Sequence, residues 1–157
     1  MATTWNGEVI SLYITPAGSQ PMETREEVSA VPGKGLEGDR YLLGTGFYSD
    51  KPDTGRELTL FEEEVLTALA GEHSIPFTGA ETRRNIITRG APLNQLVGRE
   101  FVVGEVTLKG VRLCDPCQHL VEITGKHVLG PLVHRGGLRV DILTPGVIRI
   151  GDAVLPK

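Results

Sequence analysis

Aliphatic and β-branched residues fall in short runs, seldom longer than eight, separated by glycine, proline and polar clusters. Glu8–Ile14 is the first such run and predicts an opening strand, followed by a loop from Thr15 to Pro21 that carries Pro16, Gly18 and Pro21. Val28 and Ala30 mark a second short strand, cut by Pro32-Gly33. From Gly33 to Gly55 the glycines come too close together to sustain a helix, so a long loop, functional or mobile, is expected there. Glu57–Phe61 predicts a strand running straight into a helix. That helix has Val65, Leu66 and Leu69 on one stripe, Glu62, Glu63 and Glu64 in its first turn, and Gly71 as its expected stop.

Beyond Pro76 the chain turns into Arg83-Arg84-Asn85-Ile86-Ile87-Thr88, a strand with a basic opening. Pro92–Val97 fits one helical turn. Phe101–Leu108 and Val147–Leu155 each place glycine plus an acid between two β-rich runs, which predicts hairpin turns at Gly104-Glu105 and Gly151-Asp152. Arg139–Leu143 adds another strand, ended by Thr144-Pro145-Gly146. Six or more short strands with one or a few short helices point to a mainly β fold. A closed or nearly closed β-barrel is the natural way to remove the edges.

Composition narrows the class. The 157 residues suffice for one domain with a real core, spanning 1–157, and include 20 glycines and 10 prolines against only two cysteines. No disulfide framework is available, and neither a membrane-length apolar run nor a signal pattern is present, so a cytoplasmic setting with no membrane partner is expected. Residues 1–82 carry 5 basic and 14 acidic residues, whereas residues 83–139 carry 9 basic and 4 acidic ones. A basic half inside a chain of net charge −4 suggests a local anion site rather than a nucleic-acid surface.

Both cysteines lie in Leu113-Cys114-Asp115-Pro116-Cys117-Gln118-His119. A zinc site would draw on Cys114, Cys117, His119 and either His127 or His134, but the usual second ligand pair is missing. Cys-x-Pro-Cys is similar to the thioredoxin motif, which works inside a βαβ unit, whereas strands and turns surround it here. A buried, inert cysteine is the plain alternative. A single thiolate could also ligate a soft metal or carry a persulfide. Either role needs nearby cations, and Arg112, His119, Lys126, His134, Arg135 and Arg139 supply them in sequence. Gly38-Asp39-Arg40 and Arg83-Arg84-Asn85 are the other pointed clusters.

In this order the clusters resemble the MOSC domain family, named for the C-terminal domain of molybdenum cofactor sulfurase. The matching residues are Gly35-Leu36-Glu37-Gly38-Asp39-Arg40, Arg83-Arg84-Asn85-Ile86, Leu96-Val97-Gly98 with Phe101, Gly104 and Leu108, and Pro116-Cys117 with Leu120. The resemblance implies a β-barrel that binds the molybdenum cofactor (molybdopterin) or handles its sulfur. It makes Cys117 the reactive residue and metal ligand. Arg84, Asn85, Asp39 and Arg40 become cofactor-binding residues, with His119 and Arg135 added from the basic segment. Where the family often follows Gly-Asp-Arg with histidine, this chain has Tyr41. The expected activity is reduction of N-hydroxylated or N-oxide compounds, with electrons arriving from a separate donor protein. The alternatives are a persulfide carrier served by a cysteine desulfurase, and a non-catalytic binding barrel.

Overall fold

The computed structural model describes residues 4–45, 55–116 and 118–157. Eleven strands and three α-helices are found among them. β1 (Gly7–Ile14), β2 (Glu23–Arg25), β3 (Glu27–Val31) and β4 (Gly35–Leu36) lead into a one-turn helix, α1 (Arg40–Leu43). β5 (Leu58–Glu62), α2 (Glu63–Glu72) and β6 (Ile86–Arg89) follow. Next come β7 (Glu100–Val103), β8 (Val106–Leu113) and α3 (Gln118–Thr124), and the chain closes with β9 (Leu138–Ile142), β10 (Gly146–Arg149) and β11 (Ala153–Pro156).

The large sheet runs β11-β7-β8-β9-β5-β6-β1-β2, and β11 also pairs with β1. Seven strands therefore close into a barrel, which leaves none of those seven with an open edge. Its ladders are antiparallel except β5–β6, where α2 is the crossover between parallel neighbours. Alternation decides what faces where. Leu60 and Ile86 belong to the interior cluster with Leu12, Phe101, Leu108 and Val140. Their neighbours Phe61 and Ile87 point outward into a second cluster with Val65, Leu69, Leu120 and Leu132. α2 and α3 thus cover one side of the barrel. A small sheet, β10-β3-β4, packs on the interior cluster through Val28, Ala30, Leu36 and Ile148.

Several expectations need correction. Gly104-Glu105 joins paired strands, with Val103 opposite Val106, but Gly151-Asp152 does not make a hairpin. β10 pairs with β3 while β11 pairs with β7 and β1, so that glycine turns a corner between two sheets. Gly71 does not stop α2, which continues to Glu72 and ends at His73. The Gly33–Gly55 stretch is not all loop: it holds β4 and α1, and its residues 46–54 lie outside the described ones. α3 and β2 are elements for which the sequence pattern gives no expectation.

Glu57 ties the start of β5 to its surroundings. One carboxylate oxygen accepts from Gly33 N and Ile142 N, each at 3.0 Å, while neighbouring Asp141 accepts from Gly55 N at 2.8 Å. Burial, then the Asp141 carboxylate, raise the Glu57 pKa above the usual glutamate range. A raised carboxyl pKa means that the folded state holds the proton more tightly than the unfolded chain. Stability therefore falls as pH rises from the unfolded to the folded pKa. Glu57→Gln keeps an acceptor oxygen and removes the penalty. We expect a gain of under about 1 kcal/mol at neutral pH, reduced by solvent screening, which vanishes in acid; denaturant melts at several pH values measure it.

Candidate functional site

The site forms where α1, the segment before β6, the end of β8 and the start of β9 meet. Asp39 is the N-cap of α1, with extended backbone, and its carboxylate accepts from Tyr41 N at 3.4 Å. The same carboxylate accepts from Thr15 N and from Arg40 Nη1, both at 3.1 Å. Asp39 has no exposed surface, and Arg40 is only 5 % exposed. The second terminal nitrogen of Arg40 donates to the Arg83 carbonyl at 2.8 Å and reaches the Tyr41 hydroxyl at 3.4 Å. The Arg40 guanidinium also lies over the Tyr41 ring, 4.5 Å from its centre.

Arg83 and Arg84 are each 8 % exposed. Arg83 takes a left-handed backbone conformation (φ 63°) behind a 3-10 turn, Ala80–Thr82, a departure that costs a non-glycine residue about 1 kcal/mol or more. Its Nη1 donates to the Gln20 carbonyl. Burial, followed by repulsion from Arg40, lowers its pKa to about 10. Arg84 donates from Nε to the Gly136 carbonyl at 2.9 Å, and its terminal nitrogens have no partner among the described residues. Arg139 on β9 adds charge beside Tyr41, and its register partner on β8 is Arg112. Among Arg40, Arg83 and Arg84, the ion pair found within the described residues is that of Arg40 with Asp39. Among the described residues the cluster therefore carries more cations than carboxylates.

The chain leading to Cys117 lies against it. Cys114 N donates to the Gly137 carbonyl at 2.7 Å, and the Gly136 Cα is packed so closely that a side chain there would collide with the Cys114 carbonyl oxygen. Gly136 is thus shared: its carbonyl holds Arg84 and its Cα supports the Cys114–Pro116 segment. Cys114 itself is buried and free. Cys117 lies outside the described residues.

The remaining sequence-derived site residues divide. His119 on α3 is half-buried, with Nε2 3.4 Å from Ser19 Oγ. Burial, then the Arg83 charge, lower its pKa, so the ring is held neutral. Asn85 is fully buried, and its side chain is consumed by the framework: Oδ1 accepts from Thr59 N and Thr59 Oγ1, and Nδ2 donates to the Tyr13 carbonyl, all at 3.1 Å. Asp39, likewise sealed, positions Arg40 rather than meeting a ligand. Arg135 is directed elsewhere, toward Glu72 at 3.7 Å and the Pro131 carbonyl at 2.6 Å. Arg83 and Arg139 belong to the basic clusters of the sequence, but neither is expected there as a cofactor-binding residue. No group of three or more acidic, histidine or cysteine side chains able to hold a metal occurs among the described residues, which do not include Cys117.

The MOSC domain model matches residues 53–155, which is well over half of the sequence. The chain belongs to the MOSC domain family. Among solved structures, the YuaD protein from Bacillus subtilis superposes with a TM-score of 0.81 at 16 % identity, over 100 % of both chains. YiiM from Geobacillus stearothermophilus gives 0.70 at 16 % identity over 96 % of this chain and 75 % of that one. YiiM from Escherichia coli gives 0.64 at 17 % identity over 99 % and 70 %. At such identities the likeness shows the shared fold. No curated protein matches this MOSC protein in sequence. No helix among its described residues is long and apolar enough to cross a membrane.

Proposed function

We propose that this MOSC protein holds the molybdenum cofactor in the arginine-lined hollow, with Cys117 as a thiolate ligand to the metal. One observation carries the reading. Arg40, Arg83 and Arg84 are buried together, and Asp39 is their sole ion-pairing carboxylate among the described residues. Burying unpaired cations is costly, and such a cluster persists where an anion completes it. The group tested is anionic at both its phosphoryl and its oxo-metal ends, so the residues fit it. Arg84 would hold an oxygen of the guest through its terminal nitrogens, and Arg83 and Arg139 would add charge. His119, neutral beside Arg83, would offer a ring nitrogen.

When bound, the cofactor supplies two-electron oxygen-atom chemistry, which suits reduction of N-hydroxylated or N-oxide compounds with electrons from a separate donor protein. The chain's own contribution is to fix the anion, exclude water around it and present one sulfur.

The test is elemental analysis with pterin fluorescence on protein made in a cofactor-competent host. Wild type is expected to carry molybdenum and pterin, Cys117→Ser to lose the metal, and Arg84→Ala to lose both. Metal retained in full by the serine variant would refute the ligand role. Protein lacking both, yet gaining about 32 Da per sulfur on Cys117 after exposure to a cysteine desulfurase, would establish the persulfide carrier instead.

A further inference from the structure

The Tyr41 hydroxyl is a neutral donor placed among these cations. Arg40 Nη2 approaches its oxygen at 3.4 Å, so the oxygen acts as acceptor in that contact. The phenolic proton then has no acceptor among the described residues. Arg84, close enough for its charge to act on the same tyrosine, likewise has terminal N–H groups without a partner among the described residues. Unused donors from α1 and from the segment before β6 thus share one cluster, bridged by Arg40, whose Nη2 contacts both the Tyr41 hydroxyl and the Arg83 carbonyl. The ring cannot swing away freely, because Arg40 is stacked on it.

We propose that Tyr41 is a ligand-binding residue whose hydroxyl donates a hydrogen bond to an oxygen of the oxyanion bound beside Arg84. The inference rests on the anion-site reading above and adds the group that recognises an acceptor oxygen by shape rather than by charge. An arginine attracts any anion, whereas a phenol requires a lone pair on its own axis. The groups facing Tyr41 are Arg40 from its own helix, Arg84 from the segment before β6, Arg139 from β9 and Cys114 from the end of β8; Arg83 and Asp39 lie in the same cluster. Burial raises the phenol's pKa, but the charges of Arg40, Arg139 and Arg84 outweigh it, and the net shift is downward. A bound oxyanion offsets those charges and needs the proton in place, so it should move the ionisation of Tyr41 back to higher pH.

The experiment measures binding of inorganic molybdate and of inorganic phosphate, at constant ionic strength, to wild type, Arg84→Ala and Tyr41→Phe. Phenylalanine keeps the ring under Arg40 and removes only the hydroxyl. Wild type should bind, and Arg84→Ala should not. Tyr41→Phe should lose about tenfold in affinity for the preferred probe, the scale of one hydrogen bond to a charged group. Preference for molybdate assigns the hydroxyl to the oxo-metal end of a natural guest, and preference for phosphate to its phosphoryl end. In parallel, the lowest-pH step of the near-ultraviolet tyrosinate titration should shift upward in wild type when the probe is added, and should be missing in Tyr41→Phe. If wild type and Arg84→Ala behave as expected while Tyr41→Phe binds as wild type and no step shifts, the Tyr41 inference fails and the arginine site stands. If wild type binds neither anion, or Arg84→Ala binds equally well, both fail.

Discussion

Asp39→Ala should lower stability by about 3–5 kcal/mol, the scale for removing one partner of a buried ion pair. Its carboxylate has no exposed surface and joins three donors: Thr15 N, Tyr41 N and Arg40 Nη1. Alanine leaves the Arg40 guanidinium buried beside Arg83 and Arg84 with no compensating charge, removes the cap of α1 and orphans the Thr15 amide. For a domain of this size the thermal midpoint should drop by about 10 °C. Asn in place of Asp keeps much of the hydrogen-bonding shape but not the charge, and should fall between. Added sulfate should then restore more stability to Asp39→Ala than to wild type, since an external anion takes over the missing charge in the folded state alone. Thermal melts with and without sulfate decide it. A variant within about 1 kcal/mol of wild type would mean that Arg40 relaxes to water and that the cluster is not confined by burial.

How far the sequence reaches can be seen at individual residues. β1 and β9 were legible because their β-branched and aliphatic runs stop just short of a proline, β5 because its apolar run meets the glutamates that start a helix, and barrel closure followed from many short strands with edges to hide. Gly151-Asp152 misled because a two-residue turn is a local signal, whereas β10 and β11 each find their partners far away in sequence, in β3, β7 and β1. α3 has too few residues to show a period, and its apolar side acquires meaning only when Leu120 meets the outer face of β5 and β6. Gly-Asp-Arg reads as a turn, and the one-turn helix it starts depends on the cap that Asp39 provides. At the site, residue type was informative and direction was not. Arg84 and Arg135 are equally basic in sequence, yet one is held by Gly136 in the hollow and the other is drawn to Glu72. The left-handed turn at Arg83 has no glycine or asparagine to announce it.

Asn85→Ala tests that distinction between frame and wall. The Asn85 side chain and backbone knit three strands at the start of the parallel pair. Its side chain serves Thr59 ahead of it on β5 and Tyr13 on β1, while its own N–H donates to the Thr59 carbonyl at 3.1 Å and its carbonyl accepts from Tyr13 N at 2.8 Å. Alanine leaves the Thr59 amide and the Tyr13 carbonyl without their side-chain partner in a dry interior. With about 1–3 kcal/mol for each buried group left unmade, a loss of about 3 kcal/mol is expected. The fraction that remains folded should still bind molybdate with nearly wild-type affinity, because none of the lost bonds points into the hollow. Arg84→Ala should do the reverse. It forfeits one bond to the Gly136 carbonyl but relieves repulsion among buried cations, so its melt should lie near that of wild type while anion binding disappears. Paired melting and binding measurements on the two variants therefore separate a residue that shapes the barrel from one that meets the guest. Loss of affinity in Asn85→Ala at unchanged stability would return that side chain to the ligand-binding set and reverse the assignment.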